Sequence, residues 1–320
     1  MPKIQMRDNK QGDSSATRLQ RTIENRERAA RERRQQAIIG VIVVIIVAAM
    51  LAAVGITAYQ AAYVQPQKKV EQSAKSNHNL DNIDPSIRPS GVNSKNGILL
   101  SKDGYGKQAA GAPTVATYFD PLCPGCGNFN RTVDETLIKM VEAGQINLEL
   151  HPMSFLDGLS TDHYSTRVSS AIAYIASYDN DPKHLLQFIN SIFSERFQPE
   201  EGDGYQATPN KALVDLAEDA GVANKIANEA FNLHYVKWQE VINENTPEEK
   251  ALWNVSGSNK GAMTTPTVTI NGKLVDLNAA SEKQMDPLEA ILKSLGIDKE
   301  HVGKSGHMPK VTYKSKPLDL

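Results

Sequence analysis

The apolar positions of this chain change rhythm several times along its length. From Ala37 to Ala58 there is no charged residue at all: AIIGVIVVIIVAAMLAAVGITA, 22 positions. As a helix this stretch reaches about 33 Å, enough to cross the hydrocarbon core of a bilayer. Residues 64–96 are then rich in Gln, Lys, Ser, Asn, Asp and Pro and poor in apolar side chains. Short apolar runs follow. Ile98-Leu99-Leu100 predicts a strand, Lys102-Asp103-Gly104 a turn, and Pro113–Phe119 a strand buried on both faces. Next, Phe129, Val133, Leu137, Met140 and Val141 recur at helical spacing, with Gly144 as the stop. Ile146, Leu148 and Leu150 alternate with Asn147, Glu149 and His151, which predicts another strand. Strand, helix, strand at this spacing is a βαβ unit, with parallel strands and a right-handed crossover.

From Asp157 to about Asn259 the pattern is helical. It predicts helices over His163–Tyr178, Pro182–Phe197, Pro209–Ala220 and Asn224–Asn243, a loop at Gly202-Asp203-Gly204, and a further turn or two near Glu248–Trp253. The sheet resumes at Pro266. Val268 and Ile270 alternate with Thr267 and Thr269, Asn271-Gly272 is a strong hairpin signal, and Leu274-Val275-Asp276 returns. Asp286-Pro287 opens a last helix with Leu288, Ile291, Leu292 and Leu295 as its stripe and Gly296 at its end. The final 20 or so residues read as a loose polar tail. The expected organisation is a basic segment (1–36), a membrane helix (37–59), a linker (60–96), an α/β domain (97–300) with a helical insert at about 157–260, and a tail (301–320).

Charge gives the membrane helix a direction. Residues 1–36 carry ten Lys/Arg against five Asp/Glu, whereas residues 60–320 carry 25 against 32. Arg26, Arg28, Arg31, Arg33 and Arg34 flank the N-terminal side of the apolar run, and only Lys68 and Lys69 lie near its other end. The positive-inside rule therefore places the N-terminus in the cytoplasm and the α/β domain outside, on a single-pass anchor in the cell membrane. Tyr59 and Tyr63 sit where an interfacial aromatic belt would lie. A cleaved signal peptide fits less well, because 36 residues precede the apolar run and no clear A-x-A follows it. Basic residues interleaved with aromatics are missing, so nucleic acid is not an expected partner.

Both cysteines of the chain, Cys123 and Cys126, lie in Asp120-Pro121-Leu122-Cys123-Pro124-Gly125-Cys126, between a predicted strand and a predicted helix. Outside the cytoplasm such a pair can form and keep a disulfide. Bridging two positions so close constrains the unfolded chain very little, so stability is a weak reason for the pair. Cys123 falls at the helix N-terminus, where unpaired N–H groups and the dipole favour a thiolate. It is expected to be the exposed attacking thiol, with Cys126 more buried and resolving the mixed disulfide. Pro124 suits the first helical turn. Asp120 has two readings that the residues leave open: a buried carboxylate that relays protons for Cys126, or a turn residue and cap. His151 reads as structural.

The order of elements, with Tyr118–Cys126 at a strand-to-helix junction and Thr264-Thr265-Pro266-Thr267-Val268-Thr269-Ile270-Asn271-Gly272 after a helical insert, resembles the DsbA-like branch of the thioredoxin superfamily over roughly residues 97–296. The resemblance implies a thioredoxin-like fold with an inserted helical subdomain. It also implies that Pro266 is cis and lies against the cysteine pair, and that Thr265 offers its backbone to an extended substrate. A DsbB-like or VKOR-like membrane protein would be the recycling partner. The chain departs from the strongest oxidants of that family at Gly125, where they carry histidine. The expected function is a membrane-anchored thiol–disulfide oxidoreductase that oxidises free thiols of exported proteins through Cys123. No cofactor or metal is expected beyond the redox-active Cys123–Cys126 pair. A reductase or isomerase using the same site, a thiolate site for Cu(I), and a module that only clamps substrates remain as alternatives.

Overall fold

The computed structural model describes residues 83–311 and Leu318. The predicted basic segment, the membrane helix, the linker up to residue 82 and most of the end of the tail lie outside the described residues. Among the described residues no helix is long and apolar enough to cross a membrane.

The strands are β1 (Ile98–Ser101), β2 (Gly104–Tyr105), β3 (Thr114–Phe119), β4 (Asn147–Pro152), β5 (Thr267–Ile270) and β6 (Lys273–Leu274). They form one sheet in the order β2-β1-β4-β3-β5-β6. β3 and β4 run parallel, with Val115 opposite Leu148 and Tyr118 opposite His151, and the other pairings are antiparallel. The crossover between β3 and β4 is helix α1 (Pro124–Glu142). Its predicted stripe is buried: Phe129, Val133, Leu137, Met140 and Val141 pack on Val115, Leu148, Leu150, Val268 and Ile270 of the sheet. Truncating one of these, as in Leu137→Ala, costs about 2–5 kcal/mol by lost transfer energy and the cavity left behind.

The insert contains α2 (Tyr164–Tyr178), α3 (Pro182–Ile192), α4 (Asn210–Asp219), α5 (Asn224–Ala230) and α6 (Val236–Asn245), followed by 3-10 turns at Thr246–Glu248 and Lys250–Leu252. Two expectations change here. The helix expected over 182–197 ends at Ile192, and the helix expected over 224–243 is two helices. The break has a packing cause. Ala227, Ala230 and Phe231 join the main core, whereas Trp238 and Ile242 bury with Ala173 in a separate cluster. One straight helix would not reach both, and Leu233 turns the chain at φ 58°.

After the insert, Asn271 (φ 50°) and Gly272 (φ 74°) make the tight hairpin that the Asn-Gly pair predicts. Helix α7 (Leu277–Glu282), which the apolar pattern does not signal, is capped by the Asp276 side chain accepting from the Ala279 N–H at 3.0 Å. Helix α8 (Pro287–Leu295) has Asp286 as its cap and Gly296, at φ 63°, as its stop.

Neither flank of the domain is loose where it is described. Val92 bridges Ile98 and packs on the core. The Gln145 amide donates to the carbonyls of His301, Lys304 and His307 at 2.8, 3.2 and 2.6 Å, and Leu318 donates its N–H to the Leu274 carbonyl. A buried glutamine side chain whose bonds are all to backbone accounts for the order of a polar tail.

Candidate active site

β3 ends at Phe119, and Asp120-Pro121-Leu122 carries the chain to Cys123, the N-cap of α1 (φ −65°, ψ 119°). The turn is held by the Cys123 N–H donating to the Asp120 carbonyl at 3.0 Å and by the Leu122 N–H donating to Asp120 Oδ1 at 2.9 Å. Pro124 occupies the first helical position, where a missing N–H costs nothing.

Both cysteines are free thiols. Cys126 is fully buried, and Cys123 is 8% exposed. Cys123 is therefore less open than a freely exposed nucleophile, and the solvent-facing edge of the site is formed by Pro124 and Gly125. Cys123 Sγ accepts from the Cys126 N–H at 3.4 Å, and its thiol donates to the Thr265 carbonyl at 3.5 Å. The Cys126 thiol beside Cys123, helped by the Cys126 N–H, holds the Cys123 thiol below its ordinary value, against the opposing effects of burial and Asp120. Burial pushes the Cys126 thiol well up, and the neighbouring Cys123 adds to this. The two sulfurs are thus driven apart electrostatically, one toward thiolate and the other toward thiol.

The Thr265–Pro266 peptide bond is cis. It brings the Thr265 carbonyl to Cys123 and Pro266 to Gly125: a Cβ built on Gly125 would lie 3.5 Å from Pro266 Cδ and 3.6 Å from Cys123 Sγ. Both are ordinary van der Waals distances, so a Cβ at position 125 is accommodated between the thiol and the proline loop.

Asp120 is completely buried. Its Oδ1 accepts from Ser165 Oγ at 2.5 Å and its Oδ2 from the Leu156 N–H at 2.8 Å, in addition to the bond from Leu122. Burial raises its pKa to about 6 despite these three donors. Its backbone N–H, not its carboxyl, touches the resolving sulfur, donating to Cys126 Sγ at 3.4 Å. Asp120 therefore caps its own turn and also places a charge near both cysteines, features of each of its two readings. His151 stacks on Tyr118 (4.0 Å between ring centroids) and meets Glu149 Oε1 at 2.8 Å, on the sheet face turned away from the main core.

The sequence did not single out Gln198. From the segment after α3 its amide donates to the Cys123 carbonyl at 2.9 Å and the Pro121 carbonyl at 3.3 Å, while its Oε1 accepts from Arg131 at 3.2 Å. Arg131 also donates to the Phe193 carbonyl and to Asn128. The insert is thereby tied to the thiol-bearing turn. The one sequence signal for it is Gly127, since a Cβ there would collide with Gln198.

Among the described residues the one group placed to hold a metal ion, Asp298, Glu300 and His301, includes neither cysteine.

A thioredoxin family model (Thioredoxin_4) matches residues 103–293, more than half of the chain. The chain belongs to the thioredoxin family. Its family segment contains the cysteine pair, the insert and the cis-proline loop alike. Among curated proteins, this thioredoxin-family chain is 34% identical over 126 residues to the serine/threonine-protein kinase PknE of Mycobacterium tuberculosis and of Mycobacterium bovis. The match covers 39% of this chain and 22% of the kinase, so the chain spans about a fifth of the length of those relatives. Among solved structures it is similar to the reduced disulfide bond oxidoreductase DsbG from M. tuberculosis: 24% identity, 58% of this chain, 85% of that chain, TM-score 0.45. It is also similar to MdbA, a thiol-disulfide oxidoreductase from Corynebacterium diphtheriae: 19% identity, 67% of this chain, 96% of that chain, TM-score 0.48.

Proposed function

We propose that this thioredoxin-family protein is a DsbA-like thiol–disulfide oxidoreductase, anchored in the cell membrane with its domain outside, and that it oxidises the free thiols of exported proteins. The observation that carries the reading is the pairing of unlike sulfurs beside a proline loop. Cys123 is favoured as thiolate at the start of α1, Cys126 is buried as thiol behind it, and Thr265 stands 3.5 Å from Cys123. In the oxidising direction a substrate thiolate attacks Cys123 Sγ of the Cys123–Cys126 disulfide. That bond breaks, and Cys126 leaves as a thiolate and takes a proton. The second substrate thiolate then attacks the mixed disulfide and frees Cys123, so two electrons pass from the substrate to the cysteine pair. The Thr265 N–H makes no hydrogen bond among the described residues, which leaves it to pair with the backbone of an extended substrate.

The anchor and its orientation rest on the uncharged run 37–58 and the arginines before it. A membrane partner of DsbB-like or VKOR-like chemistry would accept the electrons and restore the disulfide. A second reading, reduction or isomerisation by the same site, is favoured by Gly125, which has no side chain to put a charge or a hydrogen-bond donor beside the Cys123 sulfur. Equilibrating the protein with glutathione decides between the two. A potential near about −120 mV fits the oxidase, and one near about −270 mV, as in thioredoxin, overturns it.

A further inference from the structure

The insert reaches the thiol-bearing turn through two side chains. Gln198 bonds the backbone of the turn. Ser165, in the first turn of α2, bonds its carboxyl: Ser165 Oγ donates to Asp120 Oδ1 at 2.5 Å. The other two donors to that carboxyl are backbone N–H groups, of Leu122 to Oδ1 at 2.9 Å and of Leu156 to Oδ2 at 2.8 Å. Backbone donors are present whatever side chains stand at 122 and 156. The Ser165 bond is the one that depends on the identity of a residue. Both carboxylate oxygens are engaged, so the group is fixed in orientation as well as in place.

The needs of α2 itself do not explain a serine at 165. Ser165 is fully buried, and its helix neighbours Tyr164 and Val168 belong to the main core. A hydroxyl in such surroundings costs free energy unless it is bonded. The start of α2 does not use it as a cap: Ser160 Oγ accepts from the Tyr164 N–H at 3.0 Å, and Asp157 Oδ1 accepts from the Thr166 N–H at 2.9 Å. The hydroxyl is committed to Asp120.

Among the described residues the titratable groups that face Asp120 are Cys123 and Cys126 from α1, Asp157 from the turn before α2, and Tyr164 from α2. Burial pushes Tyr164 up, so it keeps its proton. None of the four is a cation, so hydrogen bonds are what favour the carboxylate. Of the influences that oppose burial at Asp120, the Ser165 bond is the strongest. The Asp120 charge in turn disfavours the thiolate of both cysteines.

We propose that Ser165 is a positioning residue of the thiol site. Its hydroxyl holds the Asp120 carboxylate charged and oriented near the cysteine pair, and through that charge the insert sets the fraction of Cys123 present as thiolate. The use of this control rests on the oxidoreductase reading, whereas the control itself needs no substrate.

The test is an infrared titration of the full-length reduced protein in detergent. The carbonyl stretch of the protonated Asp120 carboxyl is assigned by its loss in Asp120→Asn. Its midpoint, about 6 in the wild type, should rise by about one unit in Ser165→Ala, the effect of losing one hydrogen bond to a charged group. The Cys123 thiolate, read by its rate of alkylation at about pH 6.5, should increase in the same variant. Made in the Asp120→Asn background, Ser165→Ala should leave the alkylation rate unchanged, because the hydroxyl acts through the carboxylate. Alanine is smaller than serine and a better helix former, and circular dichroism checks that the variants are folded. An unmoved carboxyl midpoint, an unmoved alkylation rate, or an equal change of rate in both backgrounds overturns the proposal. If Cys126→Ala traps no substrate in cells while these titrations behave as expected, the proposed function fails and the role of Ser165 stands.

Discussion

The Cys123 thiol donates to the Thr265 carbonyl at 3.5 Å, across 142 positions of sequence. That contact joins the strand-to-helix junction to the proline loop and gives the attacking sulfur a fixed wall. It also makes the chemistry of the site depend on a small number of neighbours that can be changed singly.

Cys126 supplies the largest influence lowering the Cys123 pKa. Cys126→Ala should therefore raise the Cys123 pKa toward its ordinary value, read from the ultraviolet absorbance of the thiolate against pH. The same variant cannot resolve a mixed disulfide, so substrates should accumulate on Cys123 as adducts that run apart from the free protein on non-reducing gels. An absence of adducts in cells would count against the oxidoreductase reading.

Gly125→His should make the pair more oxidising. A Cβ at that position lies 3.6 Å from Cys123 Sγ and 3.5 Å from Pro266 Cδ, both ordinary contacts, and Gly125 is exposed, so a side chain can begin there and extend toward solvent. A protonated or donating ring beside the sulfur favours thiolate, and hence the reduced form. Glutathione equilibration should show the potential rising by at least about 30 mV, which corresponds to about ten-fold in the equilibrium constant.

Asp120 should give stability a pH dependence with a definite sign. Its pKa in the fold is raised from 3.8 to about 6. A carboxyl with a raised pKa contributes stability that is fully present below its unfolded value and is lost as pH rises through the folded value. The protein should thus lose on the order of 2–3 kcal/mol between about pH 4 and pH 6 from this group. Denaturant melts across that range should show the slope, and Asp120→Asn should flatten it. Because the Asp120 charge raises the pKa of both thiols, the same variant should lower both in a thiolate titration.

Gln198→Ala removes two donors to the active-site turn and leaves Arg131 without one acceptor, at a cost of about 1–2 kcal/mol. Gly127→Ala should displace the Gln198 side chain and so remove the same bonds. In a double-mutant cycle the two changes should be far from additive, since each breaks one shared contact. Additive effects would mean that Gln198 does not hold the turn.

Much of the fold can be read locally. The stripe of α1 follows 3.6-residue spacing, and Asn271-Gly272 and Asp286-Pro287 carry turn and cap chemistry that acts within a few residues. The split between α5 and α6 could not be read this way, because apolar residues run on through the break and only the existence of two separate cores explains it. The same holds for β4. Its alternation predicts one polar face, but all six residues are buried, with Asn147 bonded to the Ala109 N–H and Glu149 to His151.

By itself the sequence determined the cysteine pair at the head of α1, because helix capping and a C-x-x-C spacing are local properties of the chain. It also determined which residues form the strands on either side. The tertiary structure decided how far Cys123 is covered, which long-range neighbours reach its sulfur and its turn, and where Asp120 directs its carboxyl. Thr265, Gln198 and Ser165 lie 142, 75 and 45 positions from the groups they touch. Nothing local specifies such contacts. They exist because the insert and the returning strand bury their apolar faces against the same sheet.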